Sequence, residues 1–118
     1  MPSQSPHLDH DMLEELKDIM EDEFLELLKA FLSDSETRIT SLGSAYAAND
    51  HVNARNIAHS FKGSSSNIGA RALSQLCKEL EAIALAGDIS DAGALIESVE
   101  AEYRCVYTEL MAVMSAHG

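Results

Sequence analysis

Proline is nearly missing from this sequence. Its two prolines, Pro2 and Pro6, fall in the first six residues of 118, and residues 7–118 hold none. Such a chain suits uninterrupted helices and suits a many-looped β architecture badly. Tryptophan is absent and aromatic residues make up only 5%, although apolar residues reach 46%. The core must then be built of Leu, Ile, Ala and Met, as in helix bundles, and this apolar content argues against disorder. Cysteine is scarce. Cys77 and Cys105 sit in helical pattern with no C-x-x-C and no metal-type spacing, so a disulfide scaffold is excluded and buried reduced thiols are expected. Bases are outnumbered, with 8 Lys+Arg against 20 Asp+Glu and a formal charge of −12. A polyanion of this kind repels phosphate backbones and anionic lipid, which speaks against nucleic-acid and membrane-surface partners. Residues 1–6 lack a basic n-region and an apolar h-region, and no run approaches the ~18 apolar residues of a membrane span. A cytoplasmic location is the expectation.

What is present is helical periodicity. Met12, Leu13, Leu16, Ile19 and Met20 share one face of a short helix over residues 9–20. A second helix is expected over 21–47, its stripe running through Phe24, Leu28, Phe31, Leu32, Ile39, Leu42 and Tyr46. Asn49-Asp50 signals a turn, a third helix spans 51–68, and Gly69 is placed to end it in the left-handed conformation. The fourth helix, 71–86, carries Leu73, Leu76, Cys77, Leu80, Ile83 and Ala84 at helical spacing and closes at Gly87-Asp88. Ser90 or Asp91 then caps a fifth helix over 91–116, with Leu95, Val99, Tyr103, Val106, Leu110 and Val113 on its stripe. No strand-like alternation and no internal repeat is visible. The fold expected is all-α: an antiparallel four-helix bundle with a short additional N-terminal helix across one end. A flexible lead over 1–8 would precede a single domain over 9–118.

One segment does not read as bundle alone: Ala58-His59-Ser60-Phe61-Lys62-Gly63-Ser64-Ser65-Ser66-Asn67-Ile68-Gly69-Ala70. At about 100° per residue, Ile57 and Phe61 lie about 200° from His59 and Ile68 about 180° away. The apolar stripe is thus opposite His59, which should face solvent rather than sit satisfied in the core. Arg55, Lys62, Gly63 and Ser66 share its ridge. An imidazole of ordinary pKa, about 6.5, is largely neutral near pH 7, so one ring nitrogen has a free lone pair able to attack a phosphoryl group. A cation one turn away would stabilise the product by a charge-assisted contact. Lys62 holds that position, with Arg55 as a second contributor. A helix-interior glycine costs about 1 kcal/mol relative to alanine, so Gly63 suggests that something must approach the backbone beside His59.

Charge along the chain points the same way. Residues 51–78 contain no Asp or Glu but hold Arg55, Lys62, Arg71 and Lys78, whereas residues 9–36 hold eleven acids and only Lys17 and Lys29 as bases. An unevenly charged solvated face explains this equally well when taken by itself. The Ser64-Ser65-Ser66 run also has a plain explanation, since small residues allow close helix packing and their hydroxyls bond back to the preceding turn.

The segment from Ala58 to Ala70 resembles the signature of histidine-containing phosphotransfer (HPt) domains, roughly A-H-x-L-K-G-[SA]-[SA]-x-x-[LIV]-G-[AL]. Acceptor, cation, glycine, small residues and closing Gly69-Ala70 all fall at the family's spacing, and the resemblance covers nearly the whole chain. It implies an HPt-like four-helix bundle that works as a phosphorelay carrier. His59 would accept a phosphoryl group from an aspartyl phosphate on one receiver domain, typically of a hybrid sensor kinase. It would pass the group to the aspartate of a response regulator. The resemblance further implies that Lys62 steadies the phosphoryl group, with Arg55 as a second cation, and that Gly63, Ser66 and Arg55 meet the receiver. It implies a monomer with no cofactor of its own, the Mg2+ belonging to the receiver, and no kinase or ATP-binding domain. Two departures stand out. Phe61 replaces the common Leu, and Glu81 lies where some members place a Gln that contacts the acceptor. A carboxylate there would orient the neutral ring yet repel the phosphate.

Other readings are weaker. Lys62-Gly63-Ser64-Ser65 superficially resembles a phosphate-binding loop, but the order G-x-x-x-x-G-K-[ST] is not met. No Glu-x-x-His pair marks a di-iron bundle. His7-Leu8-Asp9-His10-Asp11 has metal-ligating types, but on a helix start expected to fray, so no metal site is assigned. His51 lacks a following Lys-Gly and reads as a capping or exposed residue. The competing function from another class is a helical-bundle adaptor that binds partners without being phosphorylated. Such an adaptor has no need of His59 with Lys62 and Gly63.

Overall fold

The computed structural model describes residues 5–117. Five helices follow in order: α1 (His10–Met20), α2 (Phe24–Ala47), α3 (His51–Asn67), α4 (Arg71–Leu85) and α5 (Gly93–His117), with a single 3-10 turn at Glu21–Glu23. Side-chain caps mark two of the starts. Asp9 accepts the Met12 backbone N–H at 3.1 Å, and Asp50 accepts that of Asn53 at 3.1 Å, each satisfying a donor the helix leaves orphaned. It is Asp50, not His51, that caps α3. At the other end of α3 the chain reverses through Gly69 at φ 80, the left-handed conformation expected there.

The helices close a ring. α2 packs on α3, α3 on α4, α4 on α5 and α5 back on α2, while α1 lies against the start of α2. Short links between successive helices make neighbours antiparallel. The core is filled by Phe24, Leu28 and Leu42 of α2, Phe61 of α3, Leu73 and Leu80 of α4, and Val99, Val106 and Leu110 of α5. α3 and α4 make the most extensive contact. The reason is the size of what faces inward: α3 buries Ala54, Ala58 and Ser65, and α4 buries Cys77 and Ala84. Helices lined with small residues approach closely, so longer side chains at the seam's outer edge can touch across it.

The boundaries differ from the sequence expectation in three places. Residues 21–23 form a separate turn because Glu21 adopts φ 51, which interrupts the helix expected to start there. Ser90 and Asp91 precede α5 rather than cap it, since Ile89 and Ala92 are both fully buried and draw that turn inward. Of the expected flexible lead, residues 1–4 lie outside the described residues, but Ser5 to Leu8 are docked. Leu8 is buried, Ser5 Oγ donates to Glu109 at 2.7 Å, and His7 Nδ1 lies 2.8 Å from Glu102.

The helix start expected to fray is likewise tied down. His10 Nε2 lies 2.9 Å from Glu109, Arg71 pairs with Asp9 at 2.6 Å, and the Asp9 N–H donates to the Gly69 carbonyl at 2.9 Å. Among the described residues no group of three or more His, Cys, Asp or Glu could hold a metal ion.

Exposure corrects several stripe positions. Ile19 is 78% exposed, because α1 is too short and peripheral to bury its last turn. Tyr46 and Ile83 also lie at the surface. Of the two thiols, Cys77 is buried, and burial pushes it up to about 12; Cys105 is exposed, against expectation, one position off the α5 stripe. No helix among the described residues is long and apolar enough to cross a membrane.

Gly69 supports a first prediction. A Cβ there would come within 3.1 Å of Asp9 Cβ and 3.2 Å of the Asp9 carbonyl oxygen, in a conformation that already disfavours side chains. Gly69→Ala is expected to lower stability by about 2 kcal/mol. An unchanged urea midpoint would contradict that reading.

Candidate functional site

The inward face of α3 is set by Ala54, Ala58, Phe61 and Ser65. His59 projects from the opposite side with 67% of its side chain exposed, as the helical wheel requires. Arg55, Gly63 and Ser66 are exposed along the same ridge, and Lys62 is partly buried at its edge toward α4. Two contacts fix the antiparallel register of α3 on α4. Ser66 Oγ meets Ser74 Oγ at 2.7 Å, and two helical turns away His59 Nδ1 lies 2.8 Å from Glu81 Oε2. Ser74 also donates to the Lys62 carbonyl at 3.0 Å, which pins the backbone of the ridge.

Glu81 bridges two of these groups. Its Oε1 accepts from Lys62 Nζ at 2.8 Å while Oε2 accepts from His59. The Lys62 hydrogen bond first, and the His59 bond second, hold the Glu81 carboxyl below the usual carboxylate range. An ionised carboxylate offers only acceptors, so Nδ1 of His59 must be the nitrogen carrying hydrogen. The lone pair is then on Nε2, at the far edge of an exposed ring. This placement revises the objection that a carboxylate at 81 repels a phosphate on the ring. Glu81 meets Nδ1, not the nitrogen with the free lone pair, and its charge is shared with Lys62.

The stretch without acids from 51 to 78 is therefore acid-free in sequence but not in space. Residue 81 reaches His59 from the next helix.

The remaining ridge residues separate by what holds them. Arg55 has no hydrogen-bond or ion-pair partner among the described residues. Ser66 is engaged by Ser74, and Ser64 donates back to the Phe61 carbonyl at 3.2 Å, the bond to the preceding turn expected of this run. Gly63 faces open space, since a Cβ built on it meets nothing within 4 Å. No internal packing requires the glycine. Two apolar side chains that the periodicity did not single out lie on the same face. Val52, one turn before Arg55, is 58% exposed, and Leu85, one turn after Glu81, is 66% exposed. Both fall off their helices' apolar stripes, and that was their only signal in the sequence.

This geometry, an exposed nucleophilic nitrogen with an oriented ring and a neighbouring cation, agrees with the comparisons to known proteins. The Hpt domain family model matches residues 26–113. Among solved structures, the histidine-containing phosphotransfer protein B (HptB) of Pseudomonas aeruginosa is similar at 44% identity. The match covers 96% of this chain and 98% of that one, with a TM-score of 0.92. The HPT domain of an Hpt sensor hybrid histidine kinase from Shewanella shares the fold, at 22% identity and a TM-score of 0.79, with 92% and 94% of the two chains covered. No curated protein matches the sequence. The chain belongs to the Hpt domain family, the histidine phosphotransfer proteins of two-component phosphorelays.

Proposed function

We propose that His59 Nε2 accepts a phosphoryl group from the aspartyl phosphate of one receiver domain and returns it to the aspartate of another. In the first step the Nε2 lone pair forms a bond to phosphorus, the P–O bond to the aspartate breaks, and its electron pair stays on the aspartate carboxylate. The second step is the reverse on a different receiver. The donor is the receiver of a hybrid sensor kinase and the acceptor that of a response regulator. Mg2+ is held by the receiver, and this chain, acting as a monomer, contributes no cofactor. The observation that carries the reading is the 2.8 Å contact of Glu81 with Nδ1 on an otherwise exposed ring, which leaves Nε2 as the nucleophile. An adaptor without phosphorylation would have no use for that arrangement.

Incubation with a phosphorylated receiver tests the proposal. The chain should acquire an acid-labile, base-stable label; failure to label with every receiver of the source organism would overturn it.

The neighbouring residues divide the work. Lys62 is close enough to Glu81 to swing its ammonium between that carboxylate and a phosphoryl group on the ring, and unpaired Arg55 adds positive charge one turn away. Lys62→Ala removes a charge-assisted contact of about 1.5–3 kcal/mol and should slow transfer roughly tenfold or more while the fold survives. A transfer rate equal to that of the parent would remove Lys62 from this role.

Gly63, with Ser66 and Arg55, forms the surface on which the receiver docks, and the open space above Gly63 is the receiver's. Gly63→Ala should therefore raise stability by about 1 kcal/mol, since a methyl is accommodated and the helix gains propensity. Gly63→Gln should weaken receiver binding without unfolding the bundle. Equal receiver affinity of Gly63→Gln and the parent would refute the clearance argument.

A further inference from the structure

The three serines that follow Gly63 are held in three different ways. Ser65 is buried. Ser64 donates its hydroxyl hydrogen to the Phe61 carbonyl at 3.2 Å and accepts from Arg38 at 3.5 Å. Ser66 is exposed on the ridge, and its Oγ lies 2.7 Å from Ser74 Oγ on α4. Ser74 in turn donates to the Lys62 carbonyl at 3.0 Å.

The supply of hydrogens sets the direction of this chain. A serine hydroxyl carries one hydrogen and two lone pairs. The Ser74 hydrogen is committed to Lys62, so the short contact between the two hydroxyls must use the hydrogen of Ser66. Bonding runs from Ser66 to Ser74 to the Lys62 carbonyl, and Ser66 presents only lone pairs to the outside. Turning the chain around, so that Ser66 could donate outward, forfeits the bond to Lys62. One neutral hydrogen bond favours the observed direction by about fivefold.

Resting on the reading of His59 as phosphoacceptor on a ridge that receivers cover, we infer that Ser66 is a specificity-determining residue that selects receivers bearing a neutral hydrogen-bond donor opposite it. Ser66 stands two helical turns beyond His59, about 10 Å along the axis. A docking patch of roughly 800 Å² reaches about 16 Å from its centre, so a receiver centred on His59 covers this hydroxyl. A receiver carboxylate or carbonyl placed there would meet lone pairs alone. The neighbouring charges narrow the class of donor further. Arg71 and Lys78 lie one turn to either side of Ser74 on α4. Arg71 is paired with Asp9, and Glu81 is committed to Lys62 and His59. An ammonium or guanidinium brought to Ser66 would be repelled by Lys78, whereas a main-chain N–H or a carboxamide would not.

The experiment compares the full chain with Ser66→Ala and Ser66→Asp, using a receiver that labels the parent. Receiver affinity is measured in about 0.5 M salt, where surface charge is screened, and transfer is followed against receiver concentration. Ser66→Ala should weaken binding about fivefold and raise the half-saturating receiver concentration by the same factor, with the saturated rate unchanged. Ser66→Asp, which accepts but cannot donate, should stay within about twofold of the parent. A hydroxyl that only joins α3 to α4 predicts a lower urea midpoint and parent affinity for Ser66→Ala. That outcome overturns the inference, as does a loss confined to the saturated rate. Ser66→Asp binding as weakly as Ser66→Ala overturns it too, because Ser66 would then be the donor. Failure of the underlying reading is separable. A parent that takes label from no receiver removes the phosphoacceptor and this role together, whereas a labelled parent whose Ser66→Ala variant binds equally well removes only the role of Ser66.

Discussion

Replacing His59 with glutamine is expected to abolish phosphoryl labelling by a phosphorylated receiver. The substitution removes the imidazole and with it the only nucleophile on the ridge that combines an exposed lone pair with a neighbouring ammonium. Glutamine is polar and of similar reach, and the side chain it replaces is 67% exposed, so stability should change by no more than about 0.5 kcal/mol. Lys62 and Glu81 remain paired in the variant. His51 stays in the chain, but its position at the start of α3 is followed by no Lys-Gly, so it should not substitute. Labelling of His59→Gln at the parent's level, with an unchanged urea midpoint, would sink the assignment outright.

The largest expected effect on stability lies two residues away, on the opposite face of the same helix. Phe61 is fully buried, and its ring meets that of Tyr103 at 6.5 Å and 60°, an edge-on arrangement. Tyr103 is in turn fixed by donating to Glu36 at 2.6 Å, and burial first, with the Glu36 bond second, raises its phenol well above the ordinary value. Phe61→Ala would leave a cavity in the bundle core beside Tyr103 and forfeit the ring contact. A loss of about 3–5 kcal/mol follows, a large part of the roughly 5–15 kcal/mol that holds a domain together. Phe61→Leu, which restores the residue common at this position in the family signature, should cost no more than about 1.5 kcal/mol. Chemical denaturation of the three proteins measures both. A loss below 1 kcal/mol for Phe61→Ala would mean that the ring is not the packing centre described here.

These two residues show why so much of the site was legible before any coordinates. Within one helix the angle between side chains depends only on their separation in the chain, so Phe61 inward implies His59 outward. The same rule placed Arg55, Lys62, Gly63 and Ser66 along one ridge. Gly69 was legible for a related reason: a left-handed residue at a helix end is a local requirement, and glycine meets it most readily.

What crosses between elements was not legible in that way. The N-terminal segment gave no periodic signal. Its docking depends on His7 and His10 meeting Glu102 and Glu109, and on the Asp9 backbone meeting Gly69, partners far away in the chain. Cys105 was assigned to the interior because its surroundings are helical, yet it lies one position off the stripe, where 100° of rotation turns it to solvent. Glu81 is the most consequential case. It stood out in the sequence only through the family resemblance, which led us to expect that it would orient the ring and repel a phosphate but not which ring nitrogen it would meet.

The amino-acid sequence by itself determined five helices, their inward faces and the outward histidine, because these follow from spacing along a single helix. Only the tertiary structure decided which nitrogen of His59 is free. That depends on the rotation and register of α4 against α3, set by the small residues packed between them, and on a carboxylate arriving at Nδ1 from 22 residues away.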